Sequence, residues 1–401
     1  MIAPCEAGSR PVVPSVYLRR PESATQVLSW AFASLGMAFI SDPAQAHGRD
    51  ALEWRLASTT DGWVALSNPV RRDAVVFSKI DAELTVKGEA FGLDGVTGRV
   101  SSFHVLGHGP SERLVADAHG IDNAESDVRH RLLEAWVDAR LSGNVSVRLG
   151  LMDLNAQFDA IEAAGLFLNS GHGMGSEFAA SGVNGPSTYP ATGLGINVRG
   201  EWSGLTVQGA VFDGAPRGFS DDGKFLAIRL HREEGALFLG QVEYDIEDTG
   251  VSFGFGAYHY SRAPSSDIEG PSRTGGGAYA MTTFALGSDT AAWFRIGHAS
   301  ASVSDIRHQI SGGLTQSAPF GRDGDMIGIA LSSIRLRPDG PGHTGYGRRE
   351  TNLELTYRYA FNDRISLQPD VQYVIQPAYD RGGGNALVVG ARLQIVLGND
   401  I

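Results

Sequence analysis

The chain has 401 residues, 42% of them hydrophobic, and a mean hydropathy of −0.11, which excludes a helical membrane protein. Its net charge of −12 and sequence pI near 5.4 argue against a nucleic-acid footprint, which would be basic. Cys5 is the single cysteine, so a disulfide framework and a thiolate metal site are both ruled out.

The first apolar run, Val27 to Ile40, is too short for a membrane helix. Arg19 and Arg20 precede it and "PAQA" follows, with Ala44 and Ala46 forming an A-x-A site. That pattern predicts a secretory signal, residues 1–46, cleaved after Ala46; a buried N-terminal helix is the alternative. The mature chain then lacks cysteine, as suits passage through an oxidising periplasm. Residues 47–61 read as a short periplasmic lead-in, and 62–401 as one β-barrel domain.

Beyond the lead-in the pattern has period two. Strands are expected at 79–90, 97–108, 131–141, 145–152, 193–202, 205–213, 236–246, 251–262, 276–286, 291–302, 310–318, 325–336, 349–360, 364–376 and 386–397, with one more inside 62–77. Short connections such as "SGN", "SG" and "EDTG" alternate with longer ones, of which 153–192 is the longest. An even strand count, short turns at one end and long loops at the other describe an all-β transmembrane antiparallel barrel of 16 strands. This parity requires "FLAIRL" at 225–230 to be loop.

Alternation assigns the faces. On 131–141, Glu134, Trp136, Asp138 and Arg140 point to the lumen, while Leu133, Ala135, Val137, Ala139 and Leu141 point to lipid. On 145–152, Ser146 and Arg148 point inward, and the tight "SGN" turn sets Asp138 opposite Arg148. Across the long loop Arg199 falls near Arg148, with Asn197 and Glu201. Arg295, Glu354, Arg358, Asp370 and Arg392 continue the inward set. Charges this numerous are costly in a dry interior but solvated in a water-filled lumen, where they set selectivity. Inward Trp136 and Trp293 offer aromatic faces, and inward Gly195, Gly254, Gly256, Gly297 and Gly328 leave room.

Segment 153–192 carries Asp153, Asn155, Asp159, Glu162, Asn169, His172, Glu177 and Asn184 around the apolar patch Leu166–Phe167–Leu168. Such a patch is a liability in water. The segment is therefore expected to fold into the barrel mouth as a constriction loop containing a short helix; a cap on the barrel surface is the alternative. No G-x-S-x-G is present, and His104, His108, His259 and His298 are scattered without a linked serine and acid. "SGHGMGS" lacks the Lys–Ser/Thr ending of a phosphate loop, and metal-ligand spacing is absent, so neither an enzyme nor a cofactor is expected.

"GLMDLNAQFDAIEAAGLFLNSGHGMGSEFAASGVNGPSTYPATGLGINVR" and "VQGAVFDGAPRG" resemble the signature region of the carbohydrate-selective outer-membrane porins. "RLLEAWVDARL", "GRDGDMIGIAL" and the stretch from "ETNLELTYRYA" to "GARLQIVL" resemble other parts of that family, so the similarity spans roughly 80–397. It implies a 16-stranded Gram-negative outer-membrane porin passing monosaccharides such as glucose and related polyols into the periplasm. Its partners would be those solutes, the outer-membrane lipid and the barrel-assembly machinery, and no nucleic acid; association into a homo-oligomer stays open. The candidate solute-binding and constriction residues are Arg148, Arg199, Asp138, Glu134, Trp136, Asn155, Asp159, Asn169 and Glu177. An anion-selective or general porin is the alternative.

Overall fold

The computed structural model describes residues 51–399 apart from 68–69, 71–72, 217–223, 229, 231–233, 264–272, 337–348 and 378–383. The expected signal lies outside them. Sixteen strands follow in order: β1 Leu52–Ser67, β2 Ala74–Lys87, β3 Val96–Leu106, β4 His130–Arg140, β5 Val145–Met152, β6 Gly193–Trp202, β7 Leu205–Asp213 and β8 Ala236–Ile246. Then come β9 Val251–Ala263, β10 Arg273–Ala285, β11 Thr290–Ala299, β12 Ile306–Ser317, β13 Met326–Leu336, β14 Arg349–Asn362, β15 Ile365–Ile375 and β16 Ala386–Gly398. Each pairs with its neighbours in sequence, and β1 closes the barrel against β16. With no open edge, every strand finds its backbone partners within the wall, which a lipid environment demands.

The period-two pattern places the wall as expected. On β11, Phe294 and Ile296 are exposed to the lipid side, whereas Trp293, Arg295 and Gly297 are buried inside. The limits of β5, β6, β7 and β8 coincide with those read from the sequence. The first strand does not: β1 begins at Leu52, so most of the supposed lead-in at 47–61 belongs to the barrel wall. Its outward Ser58, Thr60 and Gly62 interrupt the apolar face and hide the alternation. In "FLAIRL", described residues 225–228 form no strand, and the Phe225 carbonyl accepts a bond from the Leu132 N–H at 2.8 Å.

One β-bulge changes a face. The register between β3 and β4 slips between Ser101 and Ser102, and Leu133 packs against the interior cluster around Phe103 instead of facing lipid. Beyond the bulge Glu134, Trp136 and Asp138 keep their inward phase.

Connections 107–129, 153–192 and 214–235 lie at one end of the barrel; at the other are the short turns 141–144, 203–204, 247–250, 286–289 and 363–364. Porin architecture sets the long loops outside the cell and the short turns in the periplasm. Segment 153–192 contributes the short helix α1, Ser176–Ala179, and several 3-10 turns.

Candidate functional site

Loop 153–192 starts as Asp153 caps the turn 154–156 by accepting the Asn155 N–H at 2.9 Å. The Asn155 amide then donates to the Phe158 and Asp159 carbonyls, each at 3.1 Å, and fixes a left-handed Asp159 (φ 54°). This turns the Asp159 carboxylate towards the wall, where Arg295 of β11 donates to both of its oxygens at 2.7 Å. The same guanidinium donates to Glu177 of α1 at 2.8 and 3.2 Å. All three side chains are at most 1% exposed. Burial pushes the Asp159 carboxyl up, and Arg295 pulls it back.

The rest of the loop is held by neutral wall residues and one acid. Glu354 of β14 accepts the Leu168 and Asn169 N–H groups at 2.6 and 3.1 Å, while the Asn169 amide donates to Gln372 at 3.0 Å. Gln368 donates to the Leu166 carbonyl at 2.7 Å, and Gln208 to that of Gln157 at 2.6 Å. The patch Leu166, Phe167 and Leu168 is buried, as the sequence demanded: Phe167 packs with Met281, Trp293 and Ala330. His172, 3.5 Å from Glu354, is kept neutral because burial pulls its imidazole down to about 3, aided by His119.

A second loop, 107–129, also enters the barrel, which the sequence reading missed. Leu114, Val115, Ile121, Ala124 and Val128 pack on Trp63, Phe77, Phe103 and Val388. Its Asp122 accepts Arg392 of β16 at 2.6 Å and the Trp63 indole at 2.7 Å, and Arg392 also grips Asp61 of β1 at 2.9 and 3.0 Å. Glu350, on the same face of β14 as Glu354, accepts the Ala118 and His119 N–H groups at 3.0 Å. The loops meet where Asn123 donates to the Leu168 carbonyl at 2.7 Å and Ser170 to that of Gly120 at 2.9 Å. The available signal was the same as before: Leu114, Val115 and Ile121 are too apolar for a free loop.

Nearer the periplasmic turns the wall carries a partly exposed charge ladder. Arg55 lies 3.4 Å from Glu83, Glu83 lies 3.0 Å from Arg99, and Arg99 lies 3.1 Å from Glu134. Arg148 pairs with Asp138 at 3.0 Å and stacks on Trp136 at 3.8 Å, the cross-strand pair read from the sequence. Arg199 pairs instead with Glu201 at 2.7 Å; its register partner is Ser146, which puts it diagonal to Arg148. Among the described residues neither arginine has a hydrogen bond or ion pair to loop 153–192, although both flank it in sequence: Arg148 lies midway along β5 and Arg199 towards the short-turn end of β6. Arg99, Arg148 and Arg199 remain 20 to 32% exposed.

Three expectations are corrected. Arg295, Glu354, Asp370 and Arg392 are not solvated by an open lumen; the inward loops cover them, with Arg295 and Arg392 compensated by direct ion pairs and Glu354 by loop N–H groups. Trp293 lies against His172 and Phe167 and is 3% exposed, so its face is covered. The inward glycines do not leave open space: Phe212 fills the room at Gly195, Met281 at Gly254, Tyr279 at Gly256, Glu177 at Gly297 and Phe167 at Gly328. Among the candidates, Asp159, Asn169 and Glu177 are buried in loop docking, Asn155 and Glu134 tie the loop's start, and Trp136, Asp138, Arg148 and Arg199 stay within reach of water.

A model of the carbohydrate-selective porin, OprB family, matches residues 78–285 and 277–397. The chain belongs to that family. It is a carbohydrate-selective porin of the outer membrane, a channel that crosses the bilayer with its strands. No protein of curated function matches it in sequence. Among solved structures it is similar to the high-pH structure of Pseudomonas putida OprB, at 15% identity over 92% of this chain and 97% of that one, with a TM-score of 0.73. The low-pH structure of the same protein gives 14% identity, the same coverage and a TM-score of 0.53. Salmonella typhi OmpF in complex with daunomycin gives 10% identity over 88% of this chain and 100% of that one, with a TM-score of 0.58. These likenesses support the porin barrel.

Proposed function

We propose that this porin passes monosaccharides such as glucose, and related polyols, along the partly exposed wall formed by Arg99, Trp136, Asp138, Arg148 and Arg199, with loop 153–192 narrowing the path above it. The observation that carries this reading is the pairing of charge: Arg55, Arg99, Arg148 and Arg199 each lie within 3.4 Å of a carboxylate. A wall of alternating donors and acceptors beside an indole suits a neutral polyhydroxy solute. A porin for anions would instead present arginines without acids beside them. Transport is passive and involves no chemistry. Contacts worth about 4 kcal/mol, a millimolar site, would favour entry yet still let the solute leave.

The test is single-channel conductance of the purified protein in a planar bilayer, titrated with glucose and then with phosphate. Saturable block by glucose at millimolar levels supports the sugar wall. Indifference to glucose with block by phosphate would replace it with the anion reading. Silence from a folded barrel would remove the open path itself.

A further inference from the structure

The lipid-facing surface carries a second polar feature, remote from the sugar path. His298 on β11, His308 on β12, Arg335 on β13 and Arg349 on β14 stand side by side at the long-loop end of the wall: His298 pairs in register with His308, His308 with Arg335, and Arg335 with Arg349. All four are exposed, and alternation turns them outward while Gln309, Ile334 and Glu350 point in. The two imidazoles meet Nδ1 to Nδ1 at 3.2 Å. In the next outward row towards the membrane centre, Ser333 and Thr351 share a hydroxyl hydrogen bond at 2.9 Å. Below that row the face turns apolar, with Leu331 and Leu353 exposed.

Among the described residues of β11 to β14, no carboxylate stands beside this row. The only acids on β11 to β14 are Glu350 and Glu354, both buried inside the barrel. Among the described residues no carboxylate pairs with Arg335 or Arg349. Like charges set directly opposite each other destabilise a sheet, and arginine on a lipid-facing wall is tolerated only near the interface. In a chain of net charge −12, two arginines set directly opposite each other beside an imidazole pair at the outer rim call for an anion held outside the protein.

We infer that this row binds the phosphate headgroup of an outer-leaflet lipid. The two guanidinium forks grip phosphate oxygens, the imidazole N–H groups and the Ser333–Thr351 hydroxyls supply further donors, and the acyl chains lie on Leu331, Leu353, Phe294 and Ile296.

Native mass spectrometry of the detergent-solubilised full chain tests this by titration with dioleoyl phosphatidic acid, with dioleoylglycerol, and with inorganic phosphate. The phosphate lipid is expected to bind at least tenfold more tightly than either the neutral lipid or inorganic phosphate. The double variant Arg335→Gln/Arg349→Gln is expected to weaken it by roughly tenfold to thirtyfold, about one surface arginine contact each. The Arg335→Lys/Arg349→Lys variant keeps both charges but loses the forks, so it should bind between the parent and the glutamine double, and His298→Gln/His308→Gln should likewise give an intermediate loss. If the glutamine double fails to fold, judged by heat-modifiable gel mobility, the histidine double decides. Equal binding of phosphatidic acid and dioleoylglycerol, or binding unchanged in the histidine double or in a folded glutamine double, overturns the assignment. So does inorganic phosphate binding as tightly as the lipid.

Discussion

Removing Arg295 tests whether loop 153–192 is held in the barrel by a buried ion triad. Arg295→Met leaves Asp159 and Glu177, both fully buried, without the guanidinium that reaches them at 2.7 and 2.8 Å. Breaking a buried pair by deleting one partner costs about 3–5 kcal/mol, because the surviving charge stays uncompensated. The barrel itself should survive, since its sixteen-strand closure runs through the backbone. The loss therefore falls on loop docking, and 3 kcal/mol corresponds to roughly a 150-fold rise in the undocked population. Limited proteolysis of the folded barrel reads that population when reclosing outpaces cleavage. Cleavage within 153–192 should accelerate by about two orders of magnitude, with noisier single-channel current and unchanged heat-modifiable mobility. The triple variant Arg295→Met/Asp159→Asn/Glu177→Gln removes all three charges and should recover most of the protection. Cleavage within threefold of the parent in the single variant would refute the triad as the clamp. A triple variant as labile as the single would show that shape, not charge, holds the loop.

Arg148→Ala is expected to alter glucose block while leaving the barrel folded, because a partly exposed pair and its cation–π contact are worth only about 1 kcal/mol; loss of heat-resistant mobility would make Arg148 structural instead. Gly297→Ala places a Cβ 1.8 Å from the Glu177 carboxylate, so it should expose loop 153–192 to protease at a cost of about 1–3 kcal/mol. Gly143→Ala, whose Cβ meets nothing within 4 Å, should be silent in the same assay. Burial pushes the Glu125 carboxyl, in loop 107–129, up to about 8, against the hydrogen bonds it accepts from Ser111. A folded value above the unfolded one means that this group favours the folded state below the unfolded value. That contribution is lost as pH rises towards 8 and is absent above it. Protease resistance of loop 107–129 should thus fall from pH 5 to 9 more steeply in the parent than in Glu125→Gln; identical slopes would remove Glu125 as the cause.

The wall was legible because a lipid-facing side chain and a lumen-facing one must alternate over the whole bilayer thickness, giving each strand about ten residues of signal. Where an outward face is polar, as at Ser58, Thr60 and Gly62 of β1, that signal vanishes and the strand begins ahead of the range its alternation suggests. β12 starts at Ile306, four residues before the expected 310. The interior was harder to read. An apolar patch in a long connection says that it must be covered, and Leu166–Phe167–Leu168 was read that way, whereas the more scattered Leu114, Val115 and Ile121 were not. Nothing local tells Asp159 that its partner lies 136 residues away, or Leu168 that Glu354 will accept its N–H from a separation of 186. Alternation reports that Arg295 points inward; it cannot say whether water or a loop will meet it.

That distinction divides the arginines by role. Each inward loop is docked in a similar way, by one wall arginine and one β14 carboxylate that accepts loop N–H groups: Arg295, on loop acids Asp159 and Glu177, with Glu354 for loop 153–192, and Arg392, on loop acid Asp122, with Glu350 for loop 107–129. Glu350 and Glu354 share the inward face of one strand four residues apart, so the rise of about 3.4 Å per residue along β14 sets the spacing of the two docked loops. These contacts are largely buried, so deleting one partner strands a charge away from water. Arg99 and Arg148 keep their pairs partly in water, where each is worth little to folding and remains free to trade a carboxylate for a solute hydroxyl. Substitutions that destroy the fixed narrowing and substitutions that retune what passes it should therefore fall on two separate sets of charges, one buried and one wet.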